Sequence, residues 1–150
     1  FVLGLFVLAN GLASSLSAPF WGRMADKSSK KVMFTGAIIT AFLGISMYFI
    51  ISYSSFLRHQ FLLYPIAVFV LGIAHSGVRL GRKTYVVDMA KGNKRTDYVS
   101  ASNTIIGFIL LLTGGLSALT SLISIEGTIL ALSIFGLLGA FASYRLPKVE

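Results

Sequence analysis

The sequence contains no cysteine and little charge. Of its 150 residues, 12% are Asp, Glu, Lys or Arg, and only five are acidic. The absence of cysteine excludes disulfides, thiolate metal sites and cysteine nucleophiles. A mean hydropathy of +0.83 with so few charges is too apolar for an ordinary soluble domain. The composition therefore favours a membrane protein.

Five long apolar segments divide the chain. Each is close to or above the roughly 18 residues that a spanning helix requires. The simplest interpretation is an all-α integral membrane protein, with residues 1–150 forming a single transmembrane helical domain. Its predicted spans are 1–22, 32–54, 60–78, 99–122 and 126–144. The chain starts at Phe1, with no basic leader and no cleavage site, so we expect a piece of a longer protein.

Basic residues are confined to alternate loops. All 13 Lys and Arg residues except Arg58 lie after the first span, after the third span or after the fifth. Such an excess marks the cytoplasmic side, so we expect the N-terminus outside and the C-terminus in the cytoplasm. A net charge of +8 is also typical of nucleic-acid-binding proteins. Because aromatic and basic residues are not interleaved, we expect no nucleic-acid partner.

Small residues recur at helical spacing in three of the predicted spans. They are Gly36, Thr40 and Gly44, then Asn103, Gly107, Gly114 and Ala118, and finally Gly136, Gly139, Ala140 and Ser143. Such stripes let helix backbones approach each other closely in lipid. We therefore favour tight helix packing, rather than a solute pathway, as their role.

The first basic loop is short and contains one acid. Residues 22–31 connect two spans that we expect to be antiparallel neighbours, and Asp26 is the only carboxylate among four cations. A carboxylate here could accept hydrogen bonds from a helix N-terminus or pair with an arginine of a neighbouring loop. The residues alone leave a solvated basic turn equally open.

This loop resembles a signature of the major facilitator superfamily, Gly-x-x-x-Asp-(Arg/Lys)-x-Gly-(Arg/Lys)-(Arg/Lys). The matching residues are Gly22, Asp26, Lys27, Lys30 and Lys31, whereas Ser29 stands in place of the second glycine. The segment after the third span is similar to the family's second cytoplasmic loop, which has a Tyr-x-x-Asp element followed by an arginine. The residues assigned to it are Arg79, Arg82, Tyr85, Asp88 and Arg95.

The resemblance implies both a fold and a function. Members of the family have twelve helices in two six-helix halves, so the chain would supply five helices of one half, which we place in the C-terminal half. The family consists of secondary transporters that work by alternating access, with cytoplasmic loops acting as latches. The implied setting is the plasma or inner membrane. The implied partners are the lipid bilayer, the remaining helices, an unidentified small solute and, as an open alternative, a coupling ion. We expect no cofactor and no metal.

Polar residues inside the spans are candidates for lining a solute pathway. They are Asn10, Ser14, Ser17, His75 and Asn103. Polar groups at this depth are costly unless they are paired or face water. His75 could carry a proton, although hydrogen-bonded packing near the interface is the more common role for such a residue. Asn103 could equally cap or bridge helices.

Two other classes of function stay open. A non-transporting membrane scaffold or assembly subunit would explain the small-residue stripes equally well. A membrane enzyme could use His75, Asp88 and Asp97 as an acid–base set. No His-Glu-x-x-His or Gly-x-Ser-x-Gly motif accompanies these residues, so we expect no enzymatic activity.

Overall fold

The computed structural model describes residues 2–90, 94–118 and 124–149. These residues form helices and no strand. The helices are α1 (Val2–Ala25), α2 (Ser29–Tyr53), α3 (Ser55–Arg58), α4 (Leu63–Met89), α5 (Arg95–Ala118) and α6 (Ile125–Arg145). All except the short α3 are long and apolar enough to cross a membrane. The predicted all-α fold with five membrane-spanning helices is confirmed.

Four helices extend well beyond the predicted spans where the chain is basic. α1 continues past Gly22 to Ala25 and α4 continues to Met89, whereas α2 and α5 begin earlier than predicted, at Ser29 and Arg95. Charged residues do not end a helix, because its backbone hydrogen bonds are internal and long basic side chains reach towards the headgroups. The uncharged length therefore predicts the part of a helix in the hydrocarbon layer, but not where the helix ends.

Two parts of the predicted organisation lie outside the described residues. One is Lys91, in the second basic segment, and the other is the end of the span predicted at 99–122.

The short helix α3 was not predicted. It begins after Ser54, whose side chain accepts a hydrogen bond of 3.2 Å from the Leu57 N–H. This is a capping interaction of the kind that starts a helix.

Helices α2 and α4 lie at the centre of the packing. α4 contacts both α1 and α2 extensively, and α2 also packs extensively against α6. α1 and α2 are joined by a short turn, yet they contact each other over a smaller area than either contacts α4. The helices thus form a layer in the order α1, α4, α2, α6, which we call the packed layer.

Glycines lie where helices of the packed layer approach most closely. A Cβ atom at Gly77 of α4 would lie 2.7 Å from the ring of Trp21 in α1, and one at Gly36 of α2 would lie 2.7 Å from Val78 in α4. Only a residue without a side chain permits these distances. The packing role predicted for Gly36 is confirmed.

The buried core of the packed layer lies near the turn between α1 and α2. It contains Trp21, Ala25 and Val32, and Trp21 is only 1% exposed. The indole Nε1–H donates a hydrogen bond of 2.9 Å to the carbonyl of Ile73 in α4. Burial of the large ring and the paired N–H fix α1 against α4 at this level.

Helix α5 is attached much less closely. It has few contacts with α4, and its apolar stretch contains no buried residue among those whose side chains the structure describes. A Cβ atom at Gly107 or Gly114 would have no atom within 4 Å. Gly107 and Gly114 of the predicted stripe therefore have no neighbouring helix at their Cβ positions among the described residues.

Candidate functional site

The turn at residues 26–28 carries the first motif. The Asp26 N–H donates to the Gly22 carbonyl at 3.0 Å, which continues the bonding pattern of α1 into the turn. The Ser28 hydroxyl accepts a hydrogen bond of 3.4 Å from the Lys31 N–H and so caps α2. Gly22, the last residue of the predicted span 1–22, lies within α1 and not at its end. The turn is thus held by backbone and capping hydrogen bonds.

The side chain of Asp26 is exposed. Within residues 2–90, 94–118 and 124–149 it forms no ion pair, and Lys27 beside it is exposed as well. Asp26 directly follows the C-terminal end of α1, where the helix dipole favours cations over carboxylates. The acid of the motif therefore has no charged partner among the described residues.

Two motif residues hold the segment that follows α6. The Lys30 ammonium donates a hydrogen bond of 2.7 Å to the Leu146 carbonyl, and the Tyr85 hydroxyl donates one of 3.2 Å to the Pro147 carbonyl. The Lys30 ammonium also lies 5.5 Å from the centre of the Tyr144 ring. These contacts bring the first motif, the second motif and residues 146–149 together at one end of the bundle, which we call the basic end.

Most of the second motif is helical and not a loop. Arg79, Arg82, Tyr85 and Asp88 lie on α4, and Arg95 begins α5. Tyr85 is only 6% exposed, whereas Arg79 and Asp88 are exposed. The predicted span 60–78 ends where the charged residues begin. Charge alone does not interrupt a helix that leaves the apolar layer. A rigid helix consequently sets the spacing of these residues.

A cavity of about 300 Å³ lies between α4 and α5 at the basic end. Its lining includes Arg82 of the second motif and Asn103 of the predicted pathway set. The sequence gives no sign that these two residues are close, because the contact depends on how α5 leans on α4. Asn103 is exposed and thus can reach a solute or a neighbouring helix.

The predicted polar face of α1 turns towards α4. The Ser14 hydroxyl accepts a hydrogen bond of 3.1 Å from the Ser76 hydroxyl. Ser17 is buried, and its Oγ has no hydrogen-bond partner among the described residues. Asn10 is exposed and lies next to Gly72 of α4. The face is therefore divided between a helix contact at Ser17 and an open surface at Asn10.

A second small cavity, of about 200 Å³, opens beside the Ser14–Ser76 pair. Arg79 and Lys83 of α4 also line it. Sequence reasoning missed Ser76 and Lys83, although their spacing along α4 places them on the same side as Arg79. His75 is exposed on α4. The side chains that meet here combine hydroxyl groups with positive charge.

Comparison with protein families identifies the chain. The family model of the Major Facilitator Superfamily matches residues 1–150. The chain belongs to the major facilitator superfamily. The resemblance predicted from the two motifs is confirmed, and the chain is a multi-pass membrane protein of the major facilitator type, a family of transporters rather than enzymes.

Comparison of this major facilitator chain with curated proteins and with solved structures finds no significant match. Among the described residues there is no group of three or more His, Asp or Glu side chains that could hold a metal ion. The groups that the geometry brings together are hydroxyls, amides and cations. Such groups bind and orient a solute through hydrogen bonds and charge.

Proposed function

We propose that this chain is part of a secondary transporter that moves a small solute by alternating access. The observation that carries this proposal is the arrangement at the basic end. Lys30 and Tyr85 bind the segment after α6, while Asp26 in the adjoining turn stays exposed. Lys30 and Tyr85 thus connect α2 and α4 to the segment after α6. In this proposal the Asp26 carboxylate contacts a partner in one access state and loses that contact in the other.

In this proposal Asp26 is the latch residue. A helix N-terminus or an arginine from the other half of the transporter meets its carboxylate in one access state only. Such a contact stabilises that state by about 0.3–2 kcal/mol. The populations of the two states therefore shift by about 2- to 30-fold when the contact is lost.

The wall of the proposed solute pathway runs along α1 and α4. Asn10 is exposed, Ser14 and Ser76 form a hydroxyl pair, and Arg79 lines the cavity beside that pair. Hydroxyl and cationic groups on an open helix face cost least where they meet water and not lipid tails. The proposed solute is accordingly small and polar.

The remaining helices of the transporter cover α5 in this proposal. Within the part of the chain that the structure describes, Gly107 and Gly114 have no neighbour at their Cβ positions and the apolar stretch of α5 has no buried residue. Small residues on an open face suit the close approach of another helix. We assign the chain to the C-terminal half of a transporter in the plasma or inner membrane, with lipid around α6. We assign any coupling-ion site to helices outside the described residues.

The experiment is labelling of single cysteines by a membrane-impermeant reagent, applied from either side of vesicles. Asn10→Cys, in the full-length protein on a cysteine-free background, should be labelled from both sides, because alternating access exposes the pathway wall to each side in turn. Leu8→Cys is the matched control. Leu8 is 58% exposed but lies about 200° around the helix from Asn10, facing lipid, and it should resist labelling from both sides.

Labelling of Asn10→Cys from one side only would contradict alternating access along this face. That result would favour a static membrane scaffold.

The same assay tests the orientation of the chain in the membrane. Lys27→Cys should be labelled only from the cytoplasmic side and Ser55→Cys only from the outside, since both residues are exposed at opposite ends of α2.

A further inference from the structure

A third cavity, larger than the two that α4 lines, lies at the basic end between the turn at residues 26–28 and the C-terminal end of α6. Its volume is about 620 Å³. Ser28, which caps α2, lies in its lining, so the N-terminus of α2 opens onto the cavity. The proposed solute pathway on α1 and α4 does not use this space.

Three lysines line this cavity, and its described lining contains no acid. Lys30 is half-buried, whereas Lys31 and Lys148 are exposed. Lys30 uses one of its three donors on the Leu146 carbonyl, which fixes its ammonium group beside the cavity. Three positive charges and the positive end of a helix dipole therefore act on one small volume.

The other side of the cavity is apolar and aromatic. Phe34 of α2 and Tyr144 of α6 both line it, and their ring centres are 5.9 Å apart. Tyr144 is 66% exposed, at the point where α6 leaves its apolar stretch. Tyrosine is enriched at the boundary between lipid tails and headgroups. The cavity thus combines a cationic part with a wall that continues onto the lipid-facing surface.

We propose that this cavity binds the phosphate headgroup of an anionic phospholipid. The phosphate lies among Lys30, Lys31 and Lys148, and an acyl chain runs along Phe34 and Tyr144. Basic pockets between membrane helices accommodate lipid headgroups in this way. A free phosphate ion would share the cationic contacts but would gain nothing from the aromatic wall.

The test is a lipid titration of the purified full-length protein, with bound lipid counted by native mass spectrometry. Phosphatidylglycerol should bind more tightly than phosphatidylcholine. The double variant Lys31→Gln/Lys148→Gln should lose about 30-fold in affinity for phosphatidylglycerol, since each lysine near an anionic headgroup contributes about 5-fold. Both side chains are exposed, so folding should be unaffected. Lys31→Arg/Lys148→Arg should keep binding within about 3-fold, because it retains the charge.

The matched control is Arg23→Gln/Lys94→Gln, which removes the same charge from two residues outside the cavity lining. Its affinity should fall by less than about 3-fold. Equal losses in the two double variants, or no preference for phosphatidylglycerol in the unmodified protein, would overturn the proposal. Displacement of the lipid by inorganic phosphate at millimolar concentration would assign the cavity to a free anion and would also overturn the lipid assignment. Failure to displace it supports the lipid.

Discussion

The packed layer and helix α5 use the same kind of residue in different surroundings. In the packed layer, several glycines face side chains or backbone of a neighbouring helix, as Gly77 faces Trp21 and Gly136 faces Ala41, whereas others, such as Gly139, do not. In α5, Gly107 and Gly114 face open space. The difference shows that a small residue allows two helix backbones to approach closely but does not by itself bring the helices together. Because lipid tails are as apolar as leucine, a close contact also needs a neighbour whose shape fits.

The hydrogen bonds differ between the two regions in the same way. In the packed layer, Trp21 bonds to Ile73 and Ser76 bonds to Ser14, each across a helix interface. In α5 the Thr104 hydroxyl bonds to a carbonyl of the same helix. Cross-helix bonds fix the relative position of two helices, whereas bonds within a helix do not. From this comparison we predict the effects of four substitutions on stability, ordered from the largest expected loss to the smallest.

Gly77→Val should have the largest of the four effects on stability. The new Cβ would lie 2.7–2.9 Å from three atoms of the Trp21 ring, which is fully packed and cannot turn away. Overpacking of this kind costs about 1–3 kcal/mol, and we expect the upper end of that range. Thermal unfolding of the full-length protein in detergent measures the loss. Gly139→Val in α6, where no atom lies within 4 Å, is the control and should change stability by less than about 0.5 kcal/mol.

Gly44→Ala should destabilise the contact between α2 and α6. The added methyl group would overlap with the hydroxyl of Ser133, which is buried and donates to the Ile129 carbonyl at 2.7 Å. Ser133→Ala should relieve the overlap in the double variant. A double-mutant cycle should therefore give a coupling of about 1–2 kcal/mol. A coupling of zero would show that α2 and α6 do not approach each other as described.

Gly107→Leu tests whether α5 faces protein or lipid in the complete transporter. If other helices cover this face, as proposed, the substitution should lower the free energy of unfolding of the full-length protein by about 1 kcal/mol. If lipid covers it, the loss should be absent, because a leucine on a lipid-facing helix has room and a better helix propensity than glycine. Equal stability of the variant and the unmodified protein would therefore count against the assignment of α5 to an inter-helix contact.

Tyr85→Phe should produce the smallest of the four effects. It removes the hydrogen bond to the Pro147 carbonyl and leaves the ring buried. A bond of this type contributes about 0.5–1.5 kcal/mol, and we expect the lower end of that range. Faster amide hydrogen exchange at residues 146–149 is the expected signature, because these residues are held by that bond and by Lys30. Tyr98→Phe, at an exposed position of α5, should leave the exchange rate of this segment unchanged.

The sequence predicts the helices well and their partners poorly. Five uncharged segments identify the five long helices, because a spanning helix must be apolar over a length set by the bilayer. The pairing of α1 with α4 is not predictable from these segments. It depends on how the ring of Trp21 fits beside Gly77, and tryptophan at a span end is more commonly assigned to the membrane interface.

The sequence suggested residues for the candidate site but not their contacts. The residues of both motifs came from the resemblance to the family's loop patterns, and the concentration of positive charge after alternate spans came from the positions of Lys and Arg. The sequence did not indicate that Lys30 and Tyr85 bind the carbonyls of Leu146 and Pro147, because backbone acceptors have no residue signature. It also suggested Ser17 for the pathway, whereas Ser17 is buried against its neighbours. Burial depends on the rotation of α1, which a weakly amphipathic helix does not reveal.

The most direct test of the central claim combines the latch residue with the pathway wall. Side-specific labelling of Asn10→Cys is measured with and without Asp26→Asn in the full-length protein at matched expression. We expect Asp26→Asn to change the ratio of labelling rates from the two sides by about 2- to 30-fold, because one access state loses a stabilising contact. Asp97→Asn, at an exposed position in the first turn of α5, should leave the ratio nearly unchanged. The same ratio in both variants and in the unmodified protein would show that Asp26 is a solvated turn acid and would contradict the latch.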